Sequence, residues 1–189
     1  AAAQPGWRDA LTILNEQVRG CKRILDKILA NAQVSGAASP QPADRLMAEV
    51  LDEWQLLRPA AQYRYRSDGA QPAPLVSADV TLRAALMNLL NNAADAAPAN
   101  GTSQAIEICT HWDAANFTLE IHDHGSGLSD EAEHKAGSAF FTTKTEGHGI
   151  GLFLANATLE RLGGSVRLFN REQGGATTKI ILPITRADV

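Results

Sequence analysis

The sequence predicts an α+β fold in which helices pack on a β-sheet, preceded by a long helix with a heptad pattern. Three segments repeat apolar residues every three or four positions, the period of a helix: 7–35, 43–57 and 82–97. Two further segments are predicted to be strand pairs, each interrupted by a turn: 106–121, in which apolar and polar residues alternate as in half-buried strands, and 165–182. Together these patterns predict the α+β class.

The composition allows one ordinary domain with an appendage, since the chain has 189 residues, of which 44% are hydrophobic. Only 5% are aromatic, so we expect a mainly aliphatic core. The net charge of −4, with scattered Lys and Arg, indicates no nucleic-acid or membrane-surface partner. No apolar run is long enough to span a bilayer, and no signal peptide opens the chain. Cys21 and Cys109 form no CxxC pair, so we expect reduced thiols in a cytosolic setting.

The first predicted helix, 7–35, carries a heptad seam: Leu11, Leu14, Val18, Cys21, Leu25, Ile28 and Ala32. Ile24 and Leu29 widen the seam, which suits a helical bundle better than a two-stranded coil. Such a helix needs a second helix or a second chain, and we expect dimerisation. Cys21 is either a small buried hydrophobe or a residue that meets its own copy across a dimer and can form a disulfide.

The segment 36–42, GAASPQP, is predicted to be a linker, so that the chain divides into a helix-and-linker part, 1–41, and a main domain, 42–189. The next helix, 43–57, has its apolar residues on one side and ends before Pro59: Leu46, Val50, Trp54 and Leu57. Alternation at 62–66 predicts a strand, and 74–77 is interpreted as a short return strand.

The helix 82–97 has Asp79 as its predicted N-cap and an apolar stripe formed by Leu82, Leu86, Leu89 and Ala93. Beside this stripe lie Asn88, Asn92 and Asp95, at spacing i, i+4, i+7. Asn is disfavoured inside helices because its amide competes for backbone hydrogen bonds. Its repeated use here indicates either oxygen ligands for a cation or polar ligand, or an exposed polar face.

In the strand pair 106–121 the turn is predicted at 113–116, and the inward parity of the second strand continues onto Asp123. A carboxylate at an inward position is costly unless it accepts hydrogen bonds. The alternative is a strand end that leaves the sheet into solvent. Gly125 and Gly127 follow in the motif DHGSG, where glycines allow the backbone to approach a flat ligand closely.

The segment 128–146 is polar with an aromatic pair, Phe140-Phe141, and we interpret it as a mobile flap. The motif GHGIGL, at 147–152, leads into a predicted helix, 150–162. A glycine-rich loop that opens a helix exposes free backbone N–H groups at the positive end of the helix dipole, which favours phosphate binding. Two strands with a Gly174-Gly175 turn close the domain.

The order of these features resembles the ATP-binding domain of sensor histidine kinases, within the wider family that includes gyrase, Hsp90 and MutL. Asn88 and Asn92 come first, then DHGSG, the flap, GHGIGL and the strand GGATTKIILP, so that the resemblance spans about 43–183. It implies a two-layer α/β sandwich in which helices cover one face of a mixed sheet. Walker and protein-kinase signatures are absent from the sequence.

The resemblance implies a role for three residues in binding Mg-ATP. Asp123 would accept the adenine amino group, Asn92 would hold Mg²⁺ through its amide oxygen, and Asn88 would face the phosphates. A hard ion that keeps several waters suits such a sparse ligand set. Further implied nucleotide contacts are Asp95, Gly125, Gly127, Phe141, Thr142, Thr143, Lys144, Gly147, His148, Gly149, Gly151, Leu152 and Thr177.

Among these, Lys144 would close over the triphosphate and assist Asn88 in catalysis. Thr177 would reach the adenine side, although Ala176 stands where a Thr is often found in the family. In the ATPase branches a Glu one turn before the metal-binding Asn activates water. The amide of Asn88 cannot take that proton, so we expect γ-phosphoryl transfer to a histidine and not hydrolysis.

None of the histidines lies in a phosphoacceptor motif on a helix: His111, His122, His124, His134 and His148. The segment 7–35 resembles the second dimerisation helix, and we expect the acceptor helix to precede residue 1. The first residues, AAAQPGW, lack Met, which also indicates a fragment. His122 and His124 flank Asp123, but neighbours at i, i+2 on a strand end are more often polar surface than metal ligands.

The string EQVRGCKRIL, 16–25, resembles the redox-responsive RegB-type branch of sensor kinases, in which a cysteine on this helix lowers kinase activity on oxidation. The resemblance implies a homodimer, the chain's own dimerisation helix and a response regulator as partners, in the cytoplasmic part of an inner-membrane protein. Two alternatives stay open: a gyrase- or MutL-type ATPase, and an ATP-gated interaction module without enzymatic activity. The heptad helix argues against an anti-sigma-type serine kinase.

Overall fold

The structure, a computed structural model, describes residues 38–96, 105–129 and 151–185. The chain divides after Ser35 into two units, and all described residues belong to the second, Gly36–Val189. The predicted heptad helix with Cys21, most of the flap and most of GHGIGL lie outside the described residues. The predicted domain boundary at 41/42 stays a prediction. Among the helices of the described segments, none is long and apolar enough to cross a membrane.

The described segments contain three helices and seven strands. The helices are α1 (Ala43–Leu57), α2 (Val80–Asp95) and α3 (Gly151–Arg161). The strands are β1 (Ser39–Pro42), β2 (Tyr63–Asp68), β3 (Leu75–Ala78), β4 (Ile106–Trp112), β5 (Asn116–His122), β6 (Ser165–Asn170) and β7 (Ala176–Pro183).

The main sheet has five strands in the order β2-β4-β5-β7-β6. It is mixed, because β2 and β4 run parallel whereas the other neighbours are antiparallel. Inward side chains of the central strands, among them Ile108, Leu119 and Ile180, are fully or almost fully buried against the helices. Charged residues such as Glu107, Glu120 and Lys179 alternate onto the other face. The predicted α+β class, with helices on one face of a mixed sheet, is confirmed.

Helices α1 and α2 run in the same direction. Three side-chain pairs connect them in the same order along both: Arg83 with Glu49, Trp54 with Asn91, and Arg58 with Asp95. The Trp54 indole is fully buried and donates from Nε1 to Asn91 Oδ1 at 3.0 Å. This hydrogen bond satisfies the one polar group of a large core side chain and fixes the rotation of α2 relative to α1.

One residue of the predicted apolar side of α1 is not buried. Leu46, Val50 and Trp54 are 0% exposed, but Leu57 is 68% exposed. Leu57 is the last helical residue, and the neighbouring Leu56 is 83% exposed, so the final turn extends past the core. A periodic pattern gives the direction of a side chain but not whether the core reaches it.

The predicted linker 36–42 was partly wrong, because Ser39–Pro42 forms β1 and pairs antiparallel with β3 in a separate two-stranded sheet. Strand β3 therefore does not return along β2, as its interpretation as a return strand implied. Pro40 and Pro42 have no N–H to donate, but a strand with one unpaired edge tolerates proline. Being two residues apart, their nitrogens lie on the same edge, away from β3.

Candidate functional site

Helix α2 presents its asparagines because its buried stripe fixes its rotation. Asp79 is the N-cap, with its carboxylate accepting from the Leu82 N–H at 2.8 Å, as predicted. The predicted stripe is buried, with exposures of 0% to 4%: Leu82, Leu86, Leu89 and Ala93. Asn88 is exposed and Asn92 half-buried beside this stripe. Two amide oxygens one turn apart therefore line the same edge of the helix.

The carboxylate of Asp123 is buried at the end of β5, with 7% of the residue exposed. Its Oδ1 accepts from the N–H of Gly125 at 2.9 Å and of Ala176 at 3.0 Å. The alternative that this strand end leaves the sheet into solvent is wrong. Oδ2 has no donor among the described residues. Every fully buried side-chain oxygen in those residues has a hydrogen-bond partner, so Oδ2 is not fully buried and is accessible to a ligand.

The loop after β5 lies directly on the C-terminal end of α2. A Cβ atom at Gly125 would stand 2.3 Å from the carbonyl oxygen of Ala96, so only glycine fits there. This close approach brings the loop that carries Asp123 next to the helix that carries Asn92. The structure thus brings together the inward carboxylate of Asp123 and the asparagines of α2, which the sequence pattern indicated separately.

Helix α3 is linked to α2 at the opposite end. Arg161, its last residue, donates to Asp79 Oδ2 at 2.6 Å and to Thr81 Oγ1 at 2.7 Å. The two helices pack antiparallel, because the end of α3 meets the start of α2. Gly151 in the first turn of α3 therefore lies toward the half of α2 that carries Asn92.

Asp79 is held ionised by these contacts. Burial raises its pKa, but hydrogen bonds from the Leu82 N–H, the Thr81 hydroxyl and the Arg161 guanidinium outweigh burial, so the net pKa is lowered. The N-cap thus keeps its charge and remains an acceptor for all three donors.

Thr177 does not face the proposed base-binding carboxylate. It pairs with His122 across the β5–β7 ladder, and its Oγ1 lies 2.8 Å from His122 Nδ1. Side chains alternate along a strand, so Thr177 and His122 share the face opposite to Asp123. The predicted adenine contact of Thr177 is not supported, and Ala176 is the residue on the face of Asp123.

The two histidines beside Asp123 lie on the outer face or its edge. Burial, followed by the charge of Arg171, lowers the pKa of His122. His124 Nε2 lies 3.8 Å from Glu107 Oε1. Within the described ranges, no group of three His, Cys, Asp or Glu side chains could hold a metal ion. The polar-surface interpretation of this pair stays a prediction.

The remaining predicted contacts divide into two groups. Asp95 is exposed and forms an ion pair with Arg58, in which Nη1 lies 2.6 Å from Oδ1. Gly127, in the DHGSG loop, and Leu152, in the first turn of α3, are half-buried. The others lie outside the described residues and stay predictions: Phe141, Thr142, Thr143, Lys144, Gly147, His148 and Gly149.

Sequence reasoning missed Asn170 and Arg171, which contact the loop after β5. Asn170 bonds to both main-chain groups of Leu128, and Arg171 donates to the main-chain oxygen of Asp123. A signal for Asn170 existed, since it continues the inward parity of Val166 in β6 just as Asp123 does in β5. Nothing in the sequence pattern indicated Arg171.

The sequence matches the family described as "Histidine kinase-, DNA gyrase B-, and HSP90-like ATPase" over residues 78–186. It is 29% identical over 171 residues to the C4-dicarboxylate transport sensor protein DctB of Pseudomonas aeruginosa, covering 89% of this chain and 26% of that protein. It is 36% identical over 115 residues to the sensor protein FixL of Bradyrhizobium diazoefficiens, covering 59% of this chain and 22% of that protein. With the sensor protein KdpD of Escherichia coli included, the chain spans 20% to 26% of the length of these relatives.

Solved structures show the same architecture. The nucleotide-free catalytic domain of histidine kinase ThkA aligns with a TM-score of 0.66 at 26% identity, over 79% of this chain and 97% of that one. Full-length ShkA in complex with AMPPNP aligns with a TM-score of 0.67 over 100% of this chain and 41% of that one. At 20% identity, this match shows only that the two chains have a common fold.

Proposed function

The chain belongs to the family of histidine kinase-, DNA gyrase B- and HSP90-like ATPases and carries the ATP-binding catalytic domain of a sensor histidine kinase; on this premise we propose its activity and site. The proposed activity is transfer of the γ-phosphoryl group of Mg-ATP to a histidine on a dimerisation helix outside this chain. A response regulator would then receive the phosphoryl group.

The observation that carries the proposal is the half-satisfied carboxylate of Asp123. Two main-chain N–H groups hold its Oδ1, at 2.9 and 3.0 Å, and leave Oδ2 as an acceptor. An ionised carboxylate can only accept hydrogen bonds. The 6-amino group of adenine donates at the required position, whereas the 6-oxo group of guanine would oppose the carboxylate with another acceptor. The free Oδ2 of Asp123 therefore favours ATP over GTP.

The amide oxygens of α2 fit a magnesium ion that travels with the triphosphate. Mg²⁺ prefers oxygen ligands, keeps several waters and needs few protein groups. Asn92 would supply one oxygen, with phosphate oxygens and waters completing the shell. When bound, the ion neutralises charge on the phosphates.

The residues of the chain would contribute mainly binding and orientation. Asp123 fixes the base, Asn88 contacts the phosphates one turn from Asn92, and the N-terminal turn of α3 would direct its N–H groups toward them. Asn88 offers no carboxylate to take a proton from water, so this position of α2 supplies no general base for hydrolysis. The nearest acid on this helix, Asp95, is paired with Arg58.

Finer features of the proposal concern residues outside the described segments. Lys144 would close over the triphosphate, and the helix 7–35 would form the homodimer. We place the domain in the cytoplasm, connected to an inner membrane by segments outside this chain.

The resemblance of 16–25 to the RegB-type branch favours a redox role for Cys21. Non-reducing electrophoresis of wild type and Cys21→Ala after mild oxidation tests this role. A dimer band that survives the substitution contradicts a disulfide at Cys21.

Phosphotransfer from γ-labelled ATP to an added segment that carries the histidine-bearing dimerisation helix tests the main proposal. We expect label on that segment with Mg²⁺ present, and strongly reduced label in Asp123→Asn and Asn92→Ala. Steady ATP turnover without transfer, abolished by Asn88→Ala, favours a gyrase- or MutL-type ATPase instead. Binding of nucleotide with neither reaction, and with changed affinity for a partner, favours an ATP-gated interaction module.

A further inference from the structure

The side chain of Asn170 binds the main chain of the loop that follows β5. Its Oδ1 accepts from the Leu128 N–H at 2.7 Å, and its Nδ2 donates to the Leu128 carbonyl oxygen at 2.9 Å. The amide thus satisfies both main-chain groups of one residue, as a neighbouring strand would. Leu128 is five residues past Asp123, at the other end of the DHGSG loop.

The next residue, Arg171, holds the near end of the same loop. Its Nη1 donates to the main-chain oxygen of Asp123 at 3.1 Å. Ala176, at the far side of the same turn, donates its N–H to Asp123 Oδ1. The β6–β7 turn therefore binds the loop 123–128 at both ends.

These contacts are not a continuation of sheet pairing. Strand β7 lies between β5 and β6, and its ladder with β5 ends at His122 and Thr177. Asn170 reaches past the start of β7 to a loop that belongs to β5. The fit is close, because a Cβ atom on Gly127 would lie 2.7 Å from Asn170 Oδ1.

We propose that Asn170 is a positioning residue for recognition of the adenine base. It does not touch the nucleotide; by holding Leu128 it keeps the Gly125 N–H on Asp123 Oδ1, and thereby presents Oδ2 to the 6-amino group. The inference rests on the base-binding role of Asp123 in the proposed function. Arg171 anchors the other end of the loop.

Asn170 should affect the part of the binding energy that comes from the base and not the part that comes from the phosphates. The contact between Oδ2 and the amino group depends steeply on geometry, because hydrogen bonds weaken quickly with distance and angle. Contacts to the phosphates come from α2 and the start of α3, which Asn170 does not touch. Loss of Asn170 should therefore reduce the preference for a purine with a 6-amino group more than the affinity for a triphosphate in general.

Calorimetric titration of the 189-residue chain with Mg-ATP, and with the triphosphate of purine riboside, which lacks the 6-amino group, tests this claim. For Asn170→Ala we expect the ATP affinity to fall about tenfold while that of the analogue changes by less than about twofold. Asn170→Asp still accepts from the Leu128 N–H but cannot donate to its carbonyl, so the preference for ATP should again fall. Gln173→Ala, in the same turn and without a hydrogen bond in the described structure, is the matched control.

The outcomes separate this inference from the proposed function. If wild type does not bind Mg-ATP, the proposed function fails and this inference fails with it. If wild type prefers ATP over the analogue and both Asn170 variants keep that preference, the positioning role alone is overturned. Equal losses for both ligands, or an equal effect of Gln173→Ala, overturn it as well. Should Asn170→Ala not fold, Asn170→Asp decides by the same ratio.

Discussion

The buried Oδ1 of Asp123 accepts from the N–H of Ala176 at 3.0 Å, while the N–H of Asp123 donates to the carbonyl oxygen of Ala176 at 3.0 Å. Main chain and side chain of one residue are thus both bound to a single residue of β7. The carboxylate is held in place before any ligand arrives. Binding then need not order this side chain, which lowers its entropic cost.

Asp123→Asn should change which base is bound and not only how tightly. The Asn carbonyl can still accept from Gly125 and Ala176, so its amino group takes the place of Oδ2. A donor then faces the donor of adenine, and ATP affinity should fall about 100-fold or more, because a mismatched buried polar pair loses both partners. A triphosphate with a 6-oxo purine should be favoured relative to wild type. Competition binding with ATP and GTP measures the shift, and an unchanged ATP:GTP ratio contradicts the assigned contact.

Asn92→Ala and Asn91→Ala should affect different properties, nucleotide binding and stability respectively, although the residues are neighbours. Asn92 faces the proposed magnesium and phosphates, so its loss should weaken Mg-ATP binding about tenfold and reduce its dependence on Mg²⁺. Asn91 accepts from the buried Trp54 indole, so its loss should lower the free energy of unfolding by about 1–3 kcal/mol. Nucleotide titration and urea unfolding of both variants measure the two effects, and each variant is the control for the other. Equal magnesium dependence of ATP binding in wild type, Asn91→Ala and Asn92→Ala would rule out the metal role of Asn92.

Gly175→Ala should be far more damaging than Gly174→Ala. Both residues have positive φ, 78° and 90°, so either substitution introduces backbone strain of about 1–2 kcal/mol. At Gly174 the new methyl group meets nothing within 4 Å, whereas at Gly175 it would stand 2.1 Å from the main-chain oxygen of Asp123. We expect Gly175→Ala to cost more than about 3 kcal/mol and to abolish ATP binding. Denaturant unfolding compares the two, and equal losses would show that the turn does not press on the Asp123 loop.

The contact between Asp79 and Arg161 should show coupling in a double-mutant cycle. Asp79→Ala removes a helix cap and should cost about 1–2 kcal/mol of unfolding free energy. Because the same carboxylate accepts from Arg161 at 2.6 Å, we expect the two substitutions to be non-additive by at least about 0.5 kcal/mol. Arg167→Ala, at an exposed position of β6, is the control and should add to Asp79→Ala within about 0.5 kcal/mol. Additivity of the Asp79 and Arg161 substitutions would mean that the ends of α2 and α3 are not coupled.

His122 should make the fold less stable in weak acid. Burial and the charge of Arg171 lower its pKa below the usual 6.5, so the folded state binds this proton less readily than the unfolded chain. Its contribution to stability is therefore complete above pH 6.5 and is lost as the pH falls through the folded-state value. Urea unfolding between pH 7.5 and pH 5 should show this slope, and His122→Gln should flatten it. An NMR titration of the ring that gives a value above 6.5 contradicts the prediction.

Much of the fold was predictable because its signals are local. The bounds of α1 followed from apolar period and a proline, the N-cap Asp79 from its place before a stripe, and the inward position of Asp123 from strand parity. Each depends on residues within one or two turns of a helix or along one strand. The family resemblance depended on the order of such local motifs along the chain.

What the sequence alone determined is therefore which segments form the three helices and most of the strands, and which side of each faces the core; β1 and the exposed end of α1 at Leu57 were not predicted. Only the tertiary structure decided that β1 pairs with β3, that Thr177 bonds to His122 and not to the base side, and that Asn170 and Arg171 hold the loop of Asp123. These contacts join residues far apart in the chain, and their geometry follows from how the strands are ordered in the sheet. Periodicity fixes the direction of a side chain relative to its own element, but a partner across the fold exists only once the elements are packed.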